Sequence, residues 1–369
     1  MTKRAIICSQ SNFATDYRIE KMRQTFVAAG YDVLLLGRRH PREAREQKPG
    51  TRYMRLLFWH GPLFYAELNI RIALYLIFHR KVDLFDAIDL DTLPGCLLAS
   101  NIRRTRLMFD SHELFPEVPE IADKPVVKKV WWRIQDFCVP RMRPSDIRVT
   151  VCQSIADVFK QKYGADFIVV RNAPLAERAE QLKDAEQPAD GDRLFNILYQ
   201  GAVNVGRGVE EAIEALPSLP DCRLTVVGDG DMMDAARKMA TDKGVDDRVT
   251  FTGRKPFGEL APYMASADLG LVFMKNTSLN QYYALPNRLF DFIQAGLPIL
   301  GNNIPETSRL IRGHDLGLCI ENVDATSIAQ AVSDIKSHPD HLATWRANMK
   351  ALAPSLTWEA DAAQLAEVL

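Results

Sequence analysis

The stretch FNILYQGAVNVGRGVEEAIEAL, residues 195–216, carries the pattern that decides the fold. An apolar run over 195–200 predicts a buried strand, and helical spacing over 208–216 predicts a helix. A glycine-containing loop joins them, which is typical of the strand-to-helix junctions of a parallel α/β sheet. The order recurs downstream, with predicted strands over 223–227, 248–252, 269–273 and 298–300, and helices over 231–243, 259–265 and 286–295.

A similar alternation opens the chain. A predicted strand over 4–8 leads into a helix over 17–29, which ends at Gly30, a residue suited to a helix C-cap. A second strand follows over 31–36. This strand–helix–strand order with short connections again predicts a parallel sheet.

The two series are separated by residues 175–192, which are polar and rich in Ala and Glu, and which we interpret as a linker. We therefore predict an α/β protein of two doubly wound, Rossmann-like domains. Ligands of such sheets bind at the carboxyl ends of the strands, so two facing domains would place the site in a central cleft. The predicted parts are an N-terminal domain over 1–174, the linker, a C-terminal domain over 193–354 and a terminal helix over 355–369.

Composition excludes several classes of protein. The 369 residues include 46 Lys and Arg against 47 Asp and Glu, with 47% hydrophobic residues, which excludes a largely disordered chain. The balanced charge argues against nucleic acid as a partner, because neutralising phosphates needs a basic excess. Six scattered cysteines without a CxxC pair favour small buried side chains and a reducing, cytoplasmic compartment.

Segments that could target or anchor the chain are short. The N-terminal apolar stretch over 5–8 is shorter than the core of a signal peptide. The longest apolar run, over 72–78, is well below the roughly 20 residues that span a bilayer. We therefore expect no membrane-spanning segment.

The segment NQYYALPNRLFDFIQAGLPI, residues 280–299, is the richest in candidate site residues. Pro286 suits the first turn of a helix, and Asn287 and Asp291 share one face of it. Free N–H groups and a partial positive charge at the helix start suit a phosphate, and a carboxylate one turn further can accept hydrogen bonds from sugar hydroxyls. The alternative is an amphipathic helix with an exposed Asp.

The loop over 201–208 is a second candidate. Its three glycines permit close approach of a ligand to the backbone, and Arg207 lies where the next helix begins and can pair with phosphate oxygens. The spacing approaches that of a GxxxxGK[ST] phosphate loop. Arg207 and Gly208 replace its Lys and hydroxyl residue, so the loop is not of that kind.

A third candidate lies in LMFDSHELFPE, residues 107–117, where an apolar strand runs into Asp110, His112 and Glu113. Asp89 and Asp91 follow another predicted strand in the same way. Titratable groups at the carboxyl ends of strands are site candidates, although a hydrogen-bonded structural His is the alternative. The histidines show no HxH or HxxxH spacing, which argues against a zinc site, and no GxSxG motif is present.

Two stretches combine basic, aromatic and apolar residues. Residues 126–143 would place Val127, Val130 and Trp131 on one helical face with Lys and Arg elsewhere, and residues 52–81 have a similar mixture. Such segments can lie on an anionic membrane surface, so we expect peripheral membrane contact at the inner face of the membrane. A core-facing helix with a solvated charged side is the alternative for each.

Taken in order, these motifs resemble the retaining glycosyltransferases of family 4, whose GT-B fold has two Rossmann-like domains facing a central cleft. ALPNRLFDFIQAGLP, residues 284–298, resembles the "alPnKlfEYlaaGlP" segment of one subgroup. FDSHELFP at 109–116, TVCQS at 150–154 and VRNAP at 170–174 resemble first-domain landmarks. TWE at 357–359 resembles the start of the final helix, which crosses back to the first domain.

The resemblance implies a hexosyltransferase that uses a nucleotide-diphosphate-sugar donor and a glycan or lipid-linked acceptor. The product would retain the donor's anomeric configuration, no metal or other cofactor would be needed, and the setting would be cell-surface polysaccharide or lipopolysaccharide synthesis. Asp291 matches the second Glu of the family's E-x7-E motif, which binds the ribose. The implied catalytic residues are His112, Arg207 and Lys255; the implied donor-binding residues are Gly201, Arg207, Lys255, Asn287, Arg288 and Asp291; the acceptor-side candidates are Asp16, Arg18, Asp91, Asp110 and Glu113.

The sequence departs from the family pattern in a loop near the N-terminus, where residues 9–16 replace the usual Gly-Gly loop, and at three further positions. Tyr283 stands at the first Glu of E-x7-E, Asp291 is one methylene shorter than the second Glu, and Ala202 stands where many members have Arg. Two alternatives therefore remain open: a nucleotide-sugar epimerase on the same fold, and a non-catalytic GT-B binding protein.

Overall fold

The structure is a computed structural model that describes residues 2–13, 16–38, 49–79, 81–183 and 193–369. The chain divides into two compact units. The first unit comprises Met1–Asn172 and Asp361–Leu369, and the second unit comprises Ala173–Ala360.

The first unit contains a parallel sheet of seven described strands in the order β3-β2-β1-β4-β5-β6-β7. Its core consists of near-continuous apolar strands, as expected for a sheet covered on both faces. The strands are β1 Lys3–Ser9, β2 Tyr31–Arg38, β3 Thr51–Met54, β4 Leu84–Ile88, β5 Arg106–Ser111, β6 Ile147–Thr150 and β7 Ile168–Val169. The helices are α1 Tyr17–Ala28, α2 Gly61–Phe78, α3 Leu93–Arg103, α4 Pro119–Ala122, α5 Pro125–Cys138 and α6 Gln153–Tyr163.

The second unit contains a parallel sheet of six described strands in the order β10-β9-β8-β11-β12-β13. The strands are β8 Phe195–Gln200, β9 Cys222–Val227, β10 Val249–Gly253, β11 Leu269–Val272, β12 Ile299–Asn302 and β13 Gly317–Ile320. The helices are α7 Ala176–Lys183, α8 Val209–Ala215, α9 Met233–Asp242, α10 Ala261–Ala265, α11 Leu279–Tyr282, α12 Asn287–Ala295, α13 Pro305–Gly313, α14 Ala325–Ser337, α15 Pro339–Leu352 and α16 Trp358–Ala366, the last of which runs on into the first unit.

The two parallel sheets confirm the predicted fold class. The order of strands reverses between β1 and β4 in the first sheet and between β8 and β11 in the second. Each reversal is a topological switch point, where the loops leaving two adjacent strands diverge and open a crevice at their carboxyl ends. These two crevices position the candidate site residues.

The segment predicted as a linker contains a helix. Helix α7, Ala176–Lys183, buries Ala179 and Leu182, and Leu182 belongs to an apolar core that includes residues of α12. Two apolar residues three apart suffice for one buried stripe, which the polar composition of the segment concealed. Residues 184–192 of the predicted linker lie outside the described part of the chain.

The last residues pack on the first unit, as the resemblance implied. Asp361 of α16 accepts a hydrogen bond of 2.7 Å from the Arg171 Nε. The Tyr31 hydroxyl donates to the Leu369 carbonyl at 2.8 Å. Trp358 and Leu365 are buried. The C-terminal helix therefore begins in the second unit and ends as part of the first.

Two further expectations can be compared with the structure. All six cysteines are free, and five are buried, in agreement with their prediction as small apolar side chains, while Cys319 is half-buried. In contrast to the expectation about membrane spans, the 18-residue helix α2 is apolar and long enough to cross a membrane by length and composition. It contributes Phe64, Leu68 and Ile72 to the core of the first unit, yet only 28% of it is buried.

Candidate functional site

The switch point of the second sheet is bridged by an arginine. Strand β8 ends at Gln200, and Phe273 directly follows β11. Arg288, in the first turn of α12, donates to the Phe273 carbonyl at 2.7 Å and to the Gln200 carbonyl at 3.4 Å. Its guanidinium also lies over the Tyr199 ring, 4.9 Å from the centroid. Arg288 therefore ties together the carboxyl ends of the two strands.

Arg288 is a buried cation. Its exposed fraction is 7%, and it forms no salt bridge with any carboxylate in the described part of the chain. Its Nε has no hydrogen-bond partner there either. Burial lowers the pKa of Arg288, and the positive charge of Arg207 acts in the same direction. A buried charge without a counter-ion is costly, so an anion at this point would stabilise it.

Arg207 supplies a second cation beside it. Its Nη1 lies 3.2 Å from the Met274 Sδ, a weak acceptor, and none of the described carboxylates forms a salt bridge with it. The neighbouring Gly208 has φ +82°, and a Cβ there would lie 2.6 Å from the Phe273 ring. Only glycine fits this position, so the loop packs tightly enough to hold Arg207 next to the switch point.

An open cavity of about 610 Å³ lies at the same edge of the sheet. Lys255 lines it, and its Nζ lies 3.9 Å from Glu259, a loose pair. A Cβ at Gly228 would lie 1.8 Å from the Gly201 carbonyl oxygen, so the loops after β8 and β9 are in direct contact. The lining residues are Gln200, Gly201, Ala202, Val227, Gly228, Asp229, Gly230, Arg254, Lys255 and Leu260.

Asp291 lies behind this cavity rather than in its lining. Its exposed fraction is 8%, and its Oδ2 accepts a 2.9 Å hydrogen bond from the Gln200 Nε2. Pro286 immediately precedes α12 with φ −67°, and Asn287 is the first residue of the helix, close to the predicted start. The structure thus brings Gly201 and Lys255 together in the cavity and places Arg207, Arg288 and Asp291 around the adjoining switch point.

Sequence analysis missed three residues of this region. Arg254 lines the cavity beside Lys255, Asp229 lies in a turn that resembles many others, and Gln200 contacts Asp291. A basic pair directly after a strand was an available signal for Arg254. The role of Gln200 had no such signal, because its partner is 91 residues away.

The first unit has a different arrangement at the carboxyl ends of β4 and β5. Arg18, on α1, binds Asp110 through two nitrogens, at 2.7 and 3.2 Å, and donates to the Val170 carbonyl at 2.7 Å. Both partners are buried. The His112 Nε2 lies 3.0 Å from the Oδ2 of the same carboxylate, the oxygen that the Arg18 Nε also bonds. Asp110 is therefore compensated by two cationic groups.

The charges in this cluster fix one another's protonation. Burial alone would raise the pKa of Asp110, but Arg18 and His112 outweigh it and hold that pKa well below its ordinary value. Burial lowers the pKa of His112, but Asp110 and Asp89 outweigh it and raise that pKa to about 9. His112 is therefore an imidazolium at neutral pH. Asp89 holds it from the opposite side, since its carboxylate accepts the His112 backbone N–H at 2.8 Å.

Burial raises the pKa of the other carboxyl groups at this edge, and Asp16 serves as a helix cap. Burial raises the pKa of Asp89 to about 6 and that of Asp91 well above its ordinary value. Asp91 is buried, and neither of its carboxyl oxygens has a hydrogen-bond partner within the described ranges. Desolvation of its carboxyl group, helped by Asp89 and Glu120, raises the pKa of Glu113 to about 7. Asp16 accepts from the backbone N–H groups of residues 18 and 19, so it caps α1.

The first-unit candidates therefore form one group around His112, with Asp16 at its margin as a helix cap. The four carboxyl groups of Asp89, Asp91, Asp110 and Glu113 gather around one imidazolium and one guanidinium. Where residues are described, no group of three or more His, Cys, Asp and Glu side chains has the arrangement of a metal site. Carboxyl groups and an imidazolium can exchange hydrogen bonds with the hydroxyls of a sugar.

Comparisons with known proteins agree with the fold and point to one enzyme class. Residues 195–338 match the family model described as "Glycosyl transferases group 1". The chain is 30% identical over 150 residues to the lipopolysaccharide core biosynthesis glycosyltransferase LpsE of Rhizobium meliloti, covering 41% of each protein. It is 27% identical over 169 residues to the GDP-mannose-dependent alpha-(1-6)-phosphatidylinositol monomannoside mannosyltransferase of Mycobacterium tuberculosis, covering 44% of each.

Solved structures resemble the whole chain. HepE from Anabaena, solved in complex with UDP, superposes with a TM-score of 0.73 over 99% of this chain and 98% of its own, at 15% identity. Such a likeness shows a shared GT-B fold. The sequence matches span less than half the length of the first curated relatives, which are glycosyltransferases of cell-surface glycan synthesis. The family model covers most of the second unit, including Arg207, Arg288 and the residues that line the cavity.

Proposed function

We propose that the protein is a retaining, metal-independent glycosyltransferase that moves a hexose from a nucleoside-diphosphate sugar to a glycan or lipid-linked acceptor. The observation that carries this proposal is the pair Arg207 and Arg288 at the switch point of the second unit, with no described carboxylate to neutralise either. The second unit would bind the donor, with Asp291 binding the ribose as the family resemblance implies, in keeping with the UDP bound to HepE and the GDP-mannose dependence of the mycobacterial relatives. Synthesis of cell-surface glycans is the proposed setting, at the cytoplasmic face of the membrane.

The chemistry follows from charge. Cleaving the bond between the sugar and the diphosphate leaves its electron pair on the phosphate oxygen, and the sugar becomes cation-like. Arg207 and Lys255 would stabilise the departing diphosphate, and the N-terminus of α12 would add its partial positive charge. These positively charged groups are held in place by the fold and need not move as negative charge develops on the diphosphate. No metal ion is therefore required in this proposal. An acceptor hydroxyl attacking from the face that the diphosphate leaves, and passing its proton to the departing phosphate oxygen, would give retention.

The first unit would bind the acceptor. The hydroxyls of an acceptor sugar can donate to Asp89, Asp91 and Glu113, whose pKa values are all raised by burial, that of Asp89 to about 6 and that of Glu113 to about 7. His112, held between Asp110 and Asp89, would present a fixed positive charge at this edge. The role of His112 toward the reacting sugar remains a prediction from the family resemblance.

Transfer assays test this proposal. A panel of radiolabelled nucleotide sugars is incubated with membrane extracts as a source of acceptors, with and without EDTA. Transfer should persist in EDTA and should be lost in Arg207→Ala and in Asp291→Ala, while thermal unfolding stays cooperative. Arg237→Ala, an exposed arginine on α9, is the matched control and should keep full activity. Full activity in both site variants would overturn the site assignment, and inversion at the anomeric carbon would overturn retention.

Peripheral membrane contact is a second part of the proposal. Helix α2 turns Phe64, Leu68 and Leu76 into the core of the first unit, while Leu63, Ile70, Leu74 and Phe78 are exposed on other faces. The two predicted segments adjoin, since the Tyr65 and Trp131 rings are 4.8 Å apart. Exposed apolar side chains in such number are unusual on a protein that meets only water.

The loop before α2, residues 57–59, is held in place by hydrogen bonds and exposes its apolar side chains. The Glu67 carboxylate accepts backbone hydrogen bonds of 2.8 and 3.0 Å from Leu57 and Phe58, and it also pairs with Arg71 at 2.7 Å. Leu57, Phe58 and Trp59 are exposed. An ordered loop that presents three apolar side chains to solvent is suited to the boundary between lipid headgroups and acyl chains.

Basic residues next to this surface select an anionic bilayer as the partner. Lys129 and Arg133 on α5 are exposed and form no described salt bridge, whereas Lys128 is paired with Glu117 at 2.7 Å. Each such cation contributes about 1 kcal/mol of attraction to an anionic surface. Residue 80, within one predicted segment, lies outside the described part of the chain.

Vesicle sedimentation tests the membrane proposal. The protein should sediment with phosphatidylglycerol vesicles. The double variants Lys129→Glu with Arg133→Glu, and Leu74→Ser with Phe78→Ser, should each release most of it. Arg237→Glu with Lys238→Glu on the second unit is the control and should bind as the natural chain does. Equal binding of all variants would contradict this surface.

A further inference from the structure

We infer that Gln200 is a positioning residue for Asp291, and this inference rests on the proposed function, in which Asp291 binds the ribose of the donor. The Gln200 side-chain amide holds the Asp291 carboxylate at 2.9 Å from the adjacent strand. No motif of the sequence singles Gln200 out, and the pairing becomes visible only where β8 and α12 meet.

The first step of the argument is the length of the side chain. Asp291 occupies the position where the resemblance expects a Glu, and it is one methylene shorter. A shorter side chain keeps its carboxylate closer to α12 and restricts how far it can reach toward a ligand at the switch point. The carboxylate therefore has to be oriented by a neighbour if one of its lone pairs is to point at a hydroxyl of a ligand.

The second step is that Gln200 is itself fixed. It is the last residue of β8 and pairs in register with Val227 of β9. Its carbonyl accepts from the Arg288 Nη1 at 3.4 Å, and Gly201, directly after it, donates its N–H to the Val227 carbonyl at 2.9 Å. A backbone held on both sides fixes where the Gln200 side chain begins, and the hydrogen bond to Asp291 holds its far end.

The third step is where Gln200 lies. It lines the cavity of the second unit, whereas Asp291 does not. It therefore connects the cavity to the carboxylate behind it. A ligand whose pentose enters at this point would meet an aspartate already oriented, and orientation before binding reduces the entropy lost on binding.

The test compares two substitutions at the same position. Gln200→Leu removes the side-chain N–H that donates to Asp291. Gln200→Glu replaces it with a carboxyl group, which can donate a hydrogen bond only when it is protonated. A carboxyl group placed against Asp291 would share one proton with it, which raises one pKa of the pair. Gln200→Glu should therefore bind nucleoside diphosphate poorly at pH 8 and recover as the pH falls toward 5.5, whereas Gln200→Leu should bind poorly throughout.

Calorimetric titration of the full chain with UDP and GDP gives the readout, with the 2′,3′-dideoxy analogues as probes of the pentose. Loss of the amide should weaken binding by about tenfold, the effect of one hydrogen bond to a charged group. The natural chain should prefer the ribose form, and Gln200→Leu should lose most of that preference, which a purely structural role would not change. Gln330→Glu is the matched control, because Gln330 donates to Asp334 at the same distance of 2.9 Å on the exposed face of α14.

The outcomes separate the two levels of the proposal. If the natural chain binds none of the nucleotides, the proposed function fails and this inference fails with it. If the natural chain binds and Gln200→Leu keeps both the affinity and the ribose preference, the proposed function stands and the positioning role is wrong. If Gln200→Leu does not fold, the pH dependence of Gln200→Glu decides alone, and a flat profile overturns the inference.

Discussion

The carboxyl edges of the two sheets have the same strand topology but differ in charge. The first is a cluster of mutually neutralised groups, and the second is cationic. In the first unit, Arg18, Asp110, His112 and Asp89 neutralise one another within hydrogen-bond distance. In the second unit, Arg207 and Arg288 face the crevice with no described carboxylate as partner. A cluster whose charges neutralise one another is suited to a neutral ligand that carries hydroxyl groups. A cationic cluster without a described carboxylate is suited to an anionic ligand.

This difference predicts different consequences for the same kind of substitution. Removing a cation from the first unit should cost stability, because it leaves a buried carboxylate without its partner. Removing Arg207 from the second unit should cost ligand affinity instead, because the missing partner is the ligand. The predictions below test that contrast in order of expected size.

The largest effect should come from Arg18→Met. This substitution removes the guanidinium that pairs with the buried Asp110 carboxylate, so the free energy of unfolding should fall by about 3–5 kcal/mol. Urea unfolding followed by circular dichroism measures it. The control is Arg4→Met, which removes the same kind of pair with Asp32 at an exposed position and should cost under about 1 kcal/mol. Equal losses in both variants would contradict the buried compensation.

The second effect concerns Arg207→Met. Nucleoside diphosphate affinity should fall by at least about 100-fold, since charge-assisted bonds to phosphate are strong. The free energy of unfolding should change by less than about 1 kcal/mol, as for a substitution that breaks no buried pair. A large loss of stability with intact affinity would reverse the contrast between the two units.

The third effect depends on pH. The folded pKa of His112 is about 9, above its ordinary value of 6.5, so its ion pairs stabilise the fold fully below pH 6.5 and lose that contribution as the pH rises through 9. The natural chain should exceed His112→Asn in stability by up to about 3 kcal/mol at pH 6, and the gap should close by pH 9.5. Unfolding measured across this range is the check, and a gap independent of pH would refute the raised pKa.

The smallest effect should come from Asp16→Ala. Asp16 caps α1 by accepting two backbone hydrogen bonds, at 3.1 and 3.2 Å, so its loss should cost about 1 kcal/mol of unfolding free energy. Asp16→Ser, which keeps a capping oxygen, should restore most of it. If Asp16→Ala instead abolishes transfer at unchanged stability, Asp16 acts on the acceptor, as the family resemblance first suggested.

Much of the fold could be predicted from the sequence, since the strands of both sheets follow continuous apolar runs. The predicted strand over 195–200 matches β8, Phe195–Gln200, and the predicted helix over 286–295 begins one residue earlier than α12. The grouping of Asp91, Asp110 and His112 was predictable as well. Parallel topology brings the carboxyl ends of neighbouring strands to one edge, whatever lies between them in the chain.

What could not be predicted depends on contacts between distant residues. The pairing of Arg18 with Asp110 and that of Gln200 with Asp291 join residues about ninety positions apart, and no spacing rule connects them. The sequence pattern does not distinguish Arg288 from an exposed basic residue on an amphipathic helix. Its burial depends on how α12 packs against the sheet. Helix α7 was hidden for the opposite reason, since two apolar residues among many polar ones leave little periodicity to detect.

The measurement that tests the central claim most directly is calorimetric titration of the full chain with UDP, GDP and other nucleoside diphosphates in EDTA. Our account predicts that one of them binds with a stoichiometry of one and that its binding is lost in Arg207→Ala and retained in Arg237→Ala. Failure of every nucleotide to bind, or equal binding by Arg207→Ala, would contradict the claim that the second-unit arginines, which have no carboxylate partner among the described residues, bind a diphosphate.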